Sequence, residues 1–126
     1  MDKNKNRPKY LNLLKISMPI TAVVSIGHRI AGLLMVIAIP FVIYAFQLSI
    51  SSAAEYASVK AALNHPLAQG ILVLLVWSFL HHLFSGMRIL LIDIDVGVSR
   101  SAARISAWLV YGLALLLTIL LLGVMR

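Results

Sequence analysis

Cysteine is absent from the 126 residues, which excludes disulfides, thiolate-held zinc and iron–sulfur clusters within this chain. Acids are nearly as scarce: Asp2, Glu55, Asp93 and Asp95 are the whole set. Charged residues make up only 12% and hydrophobic residues 61%, against about 25% and about 45–50% in an ordinary soluble domain. A small soluble domain keeps much of its surface in water, and this chain has too little polar surface to cover it. The length also excludes a large multidomain enzyme. No G-x-G-x-x-G loop, internal repeat or low-complexity tail is present, so the usual dinucleotide fingerprint is missing too.

What remains is three long uncharged windows. They run over Ile30–Ala54, Ala61–Met87 and Ile105–Met125, and each meets the roughly 20 apolar residues that a bilayer core demands. The predicted architecture is therefore all-α: an integral membrane protein with three transmembrane helices and a short N-terminal interfacial segment. Residues 1–24 form the lead, helix I covers about 25–50, helix II about 65–93 and helix III about 103–125. The first window is too long and begins too late for a signal-peptide core. The apolar stretch Tyr10–Ile26 is broken by Lys15 and Pro19, and it is expected to lie along the interface and turn into helix I near Ser17–Pro19. Pro40 inside helix I frees the carbonyl of Val36, so a kink is expected there.

The net charge of +7 does not read as a nucleic-acid surface, because the cations are scattered in short stretches between the apolar runs. They read as topology instead. Lys3, Lys5, Arg7, Lys9, Lys15, Arg29, Arg88, Arg100 and Arg104 fall on one side of the spans, and only Lys60 and Arg126 on the other. The positive-inside bias then places the N-terminus and the 93–104 loop in the cytoplasm.

Ionisable residues inside such spans are expensive and default to functional candidates. His28 and Arg29 sit at the entry of helix I, and His82 and Arg88 on helix II. His82 lies 11 residues before Asp93, about 16 Å deep along a regular helix. Ser85 and Gly86 follow it at i+3 and i+4, and a glycine one turn away leaves room for a flat group beside the helix. That combination suits axial ligation of a haem; the alternative is a histidine hydrogen-bonded to a neighbouring helix. His81 is nearly as good a candidate ligand. Arg88 is about 9 Å nearer the cytoplasm than His82. With His28 and Arg29 it would meet anionic propionates, or else the arginines snorkel to lipid phosphates. Ser25 precedes Arg29 by four residues, a pairing able to hold a quinone carbonyl, unless the hydroxyl bonds within its own helix.

Two blocks of sequence carry a resemblance. Arg7-Pro8, Pro19-Ile20-Thr21-Ala22 and Ser25-x-x-His28-Arg29-x-x-Gly32 form the first; His82-x-x-x-Gly86-Met87-Arg88 with Asp93 forms the second. Their order, spacing and three-helix setting resemble the cytochrome b membrane-anchor subunits of succinate dehydrogenase (respiratory complex II), over essentially the whole chain. The resemblance implies a non-catalytic subunit of a succinate:quinone oxidoreductase. Its expected partners are a flavoprotein subunit, an iron–sulfur subunit, a second membrane anchor and the bilayer, with no nucleic acid. It implies haem b shared with the second anchor, His82 as one axial ligand of the iron, and His28 and Arg29 at the propionates. Ser25 and Arg29 would line the ubiquinone site, and Arg88 would add a propionate contact. A bacterial inner (cytoplasmic) membrane is expected, with the N-terminus cytoplasmic.

Three residues depart from the family pattern. Ile89 stands where His or Phe is usual, Ala31 where Ser or Thr is frequent, and Asp95 where glycine is common. Two other readings compete: a fumarate reductase anchor working with menaquinone, and a three-helix structural or transport protein without haem.

Overall fold

The computed structural model describes residues 17–124, and all its regular elements are helical. Helix α1 spans Ile20–Ser51, α2 Ala53–Leu63, α3 Pro66–Asp93 and α4 Arg100–Val124. Three of them, α1, α3 and α4, are long and apolar enough to cross a membrane, as the uncharged windows predicted.

Helix α1 starts at Ile20, five residues before the expected boundary. Pro19 holds extended backbone (φ −64, ψ 150) as the N-cap, and its carbonyl accepts from the amides of Ala22 and Val23 at 2.9 and 3.2 Å. The stretch 20–24 is therefore helical, in line with the expected turn into helix I near Ser17–Pro19, and Val24 is buried in the bundle. The rest of the expected lead, residues 1–16, lies outside the described residues. Helix α1 continues through Pro40 as a single element of 32 residues.

Its end is set by Ser52, whose backbone swings to φ −162, ψ 163. The Ser52 hydroxyl accepts from the Glu55 amide at 3.1 Å and starts α2. This Ser-x-x-Glu pattern is that of a capping box, and it makes a helix of the connection between spans I and II, where the sequence reading placed none. Nearly all of α2 is exposed. Helix α3 begins with Pro66 in its first turn, where a missing N–H costs nothing; the His65 ring nitrogen Nδ1 accepts from the Leu67 amide at 3.3 Å.

Between α3 and α4 the chain turns on two residues with positive φ, Asp95 at 61° and Gly97 at 76°. The left-handed region crowds Cβ, and among L residues Asp and Asn tolerate it best. This is the physical reason that glycine suits position 95. Helix α4 opens three residues before the expected 103, capped by Ser99, whose hydroxyl accepts from the Ala102 amide at 3.3 Å.

Helices α1, α3 and α4 pack against one another, with α2 lying outside that trio at one end. Much of the interior is small or polar, with Ala31, Ala107, Ala114, Ser78, Ser85 and His81 at most 1% exposed, and Val24, Val110 and Leu80 are its larger apolar members. The large apolar side chains point outward, Phe41 at 71% and Phe46 at 65% exposure among them. This is the reverse of a soluble domain. Lipid offers no hydrophobic drive between helices, so membrane helices associate where small residues let backbones approach.

Candidate functional site

Two adjacent faces of α3 carry its polar residues, and they do different things. Residues 78, 81, 85 and 88 follow one another at intervals of three and four, so Ser78, His81, Ser85 and Arg88 form one row. Ser78, His81 and Ser85 are fully buried. The His81 ring stacks on Trp77 (centroids 5.1 Å, 14° between planes) and lies 4.8 Å from the Tyr111 ring of α4. Its Nε2 is 3.4 Å from Ser85 Oγ, and Tyr111 donates its hydroxyl hydrogen to the Val23 carbonyl of α1 at 3.4 Å. Gly27 closes the third side: a Cβ there would stand 2.8 Å from His81 Nε2. His81 is thus enclosed by all three spanning helices, with its Nδ1 buried and unpartnered. No flat prosthetic group can reach it without parting the bundle.

Ser85 belongs to this row rather than to the His82 face, where the sequence reading set it. Four residues turn a helix by 400°, leaving Ser85 only 40° from His81, whereas three residues leave it 60° from His82. Arg88 also points along the buried row. Its Nε donates to Ser106 Oγ at 3.0 Å and its terminal NH2 to the Ala103 carbonyl at 3.2 Å, both on α4. Arg88 therefore braces α3 to α4 and is not turned toward His82. Ser106 is the partner that sequence reading missed; it lies 18 residues away and no local pattern links the two.

The second face joins α3 to α1. The rings of His82 and His28 stack at 4.0 Å with 20° between their planes. His82 Nδ1 is 3.1 Å from the backbone carbonyl of His28. A carbonyl can only accept, so this contact makes Nδ1 the protonated nitrogen and leaves the lone pair on Nε2. His82 is half-buried, and its Nε2 is not among the buried atoms left without a partner, whereas Nε2 of His28 is. Gly32 allows the approach: a Cβ there would lie 3.0 Å from His82 Cε1 and 3.2 Å from Nδ1. A Cβ on Gly86 would meet only His28 Nε2, at an ordinary 3.6 Å. Packing within this chain therefore does not require glycine at position 86.

Ser25 and Arg29 continue the α1 side of this face outward, Ser25 half-buried and Arg29 exposed. The Ser25 hydroxyl takes no hydrogen bond to its own helix, unlike Ser49, Ser51 and Thr118, which bond back to the carbonyl four residues earlier at 2.7 Å. Ala31 is 1% exposed in the helix crossing, where a larger side chain would have to part the helices. Ile89 is exposed, seven residues past His82 on the same face. Among the described residues no three His, Asp or Glu side chains converge to hold a bare metal ion.

Residues 3–121 match the succinate dehydrogenase/fumarate reductase transmembrane subunit family. The succinate dehydrogenase cytochrome b556 subunit of Coxiella burnetii (strain RSA 493 / Nine Mile phase I) is 35% identical over 112 residues, covering 86% of this chain and 87% of that protein.

Proposed function

Since the chain belongs to the succinate dehydrogenase/fumarate reductase transmembrane subunit family and is a multi-pass membrane anchor of the cytochrome b type, we propose that it binds haem b jointly with a second anchor subunit through His82. The observation that carries this reading is the bond between His82 Nδ1 and the His28 carbonyl. Metal-bound histidines characteristically donate their other ring N–H to a carbonyl or carboxylate, which orients the ring and raises its basicity. A lone imidazole holds a metal only if the metal brings its other ligands, and a porphyrin iron does. Within this chain a Cβ at Gly86 would meet only His28 Nε2, at 3.6 Å, so its own packing does not demand glycine there, and the missing side chain suits the edge of such a group. When bound, haem b supplies one-electron redox chemistry inside the membrane.

His28 stacks on His82 and, with Arg29, meets the propionates; the unpartnered Nε2 of His28 supports this. For Arg88 the propionate role is the weaker of two, because its donors already serve Ser106 and Ala103. Ser25 and Arg29 form this chain's side of a ubiquinone site. The Ser25 hydroxyl, without a hydrogen bond among the described residues, donates to a quinone oxygen, and the Arg29 guanidinium stabilises the negative charge that develops there as electrons arrive. Those electrons come from succinate, oxidised in a flavoprotein subunit and relayed by an iron–sulfur subunit. The basic end of the bundle, with Arg29, Arg88, Arg100 and Arg104, faces the cytoplasm of a bacterial inner membrane.

A pyridine haemochrome assay on the purified complex tests the ligand. His82→Leu is expected to remove the b haem while the subunits still co-purify; retained haem overturns the assignment. Arg29→Leu is expected to impair quinone reduction but to spare succinate oxidation with a soluble dye. Equal loss of both activities would instead make Arg29 an assembly residue.

A further inference from the structure

A groove of about 680 Å³ opens between the first turn of α1 and the start of α4. Met18, Ile20 and Val23 line it from one side, and Arg100, Arg104 and Trp108 from the other. It is separate from the His82 face. At 100° per residue, Ile20 and Val23 lie on the side of α1 turned to α4, while Ser25 and Arg29 point about 140–180° from Ile20.

Arg100, Arg104 and Trp108 recur every four residues, so they stand above one another on one exposed stripe of α4. Successive members are about 6 Å apart along the helix axis. Neither arginine makes an ion pair or a side-chain hydrogen bond among the described residues, and no acid lines the groove. The order from the helix end inward is cation, cation, then indole, over an apolar floor.

We propose that this groove binds an anionic glycerophospholipid, its phosphodiester held by Arg100 and Arg104 and its glycerol and upper acyl carbons lying against Trp108, Val23 and Met18. Arginine forks match phosphate oxygens, and tryptophan favours the depth where the headgroup gives way to acyl chain. Basic pockets between membrane helices suit anionic headgroups for the same reasons. An acidic protein surface would satisfy the arginines but has no use for a vertical ladder that ends on an indole within the apolar span. The proposal does not depend on the haem or quinone assignments.

The test uses the full chain with the subunits that accompany it, extracted in mild detergent, delipidated and offered phosphatidylglycerol or phosphatidylcholine. Retained lipid is read by native mass spectrometry. The wild type should prefer phosphatidylglycerol by about tenfold or more, as two surface arginines confer. The Arg100→Gln/Arg104→Gln pair should lose that preference, and the Arg100→Lys/Arg104→Lys pair should keep most of it. Thr21→Trp, which fills the groove but leaves both arginines, should reduce retention of phosphatidylglycerol, and it decides the matter should the glutamine pair not fold. Equal retention of both lipids by the wild type would overturn the proposal. So would an undiminished preference in the glutamine pair, undiminished retention of phosphatidylglycerol in Thr21→Trp, or loss of an accompanying subunit from the glutamine pair, which would make the groove a protein interface.

Discussion

At the scale of single residues, two glycines on α1 have contrasting neighbours from one on α4. A Cβ at position 27 would meet His81 Nε2 at 2.8 Å and Tyr111 OH at 3.2 Å, whereas one at Gly112 meets nothing within 4 Å. His81 is stacked on Trp77 and cannot swing away, so Gly27→Ala must move a helix. It is expected to destabilise the bundle by about 1–3 kcal/mol, seen as a lower melting temperature in detergent, while Gly112→Ala leaves it unchanged or raises it slightly. At Gly32 the approach is to His82 itself, at 3.0–3.2 Å. Gly32→Ala is expected to tilt that ring and alter the absorption band or midpoint potential of bound haem, with little loss of subunit assembly. An unchanged spectrum would show that the ring has room to yield. The sequence spacing marked His82 and Gly86 correctly as one face. The different surroundings of His81 and His82 show only in the tertiary structure, because 100° of rotation separates them and both sit in apolar stretches of the chain.

At the scale of elements, the connections hold the least legible parts. The three spans could be read from their length and lack of charge, but helix α2 could not, since its outward-facing residues show no apolar stripe. Its one local signal is the Ser52-Ala53-Ala54-Glu55 start. The α3–α4 turn is strained at Asp95 (φ 61°). Asp95→Gly is expected to be neutral or stabilising, whereas Asp95→Val should cost about 1–2 kcal/mol, as measured by thermal denaturation of the two variants side by side. The Arg88 brace is a property of the α3–α4 pair. Because Arg88 bonds Ser106 Oγ at 3.0 Å, Arg88→Leu and Ser106→Ala are expected to be non-additive, the double variant losing less stability than the sum of the two singles. Strict additivity would assign Arg88 a partner outside α4.

At the scale of the whole molecule, the lack of cysteine makes orientation simple to check. Single cysteines at Tyr56, on exposed α2, and at Gly97, in the α3–α4 turn, fall on opposite ends of the bundle. In intact cells a membrane-impermeant thiol reagent is expected to label the first and not the second; the reverse pattern would invert the proposed topology.

One consequence concerns the order in which the protein is made. The cage around His81 takes Gly27 from α1 and Tyr111 from α4, so its walls are completed only when the last helix has been synthesised. Until then the imidazole keeps Trp77, Ser85 and Gly27 beside it but lacks the Tyr111 wall, and a polar group open to lipid is costly. The nascent chain therefore passes through a two-span state in which the side of His81 that Tyr111 later covers is still open.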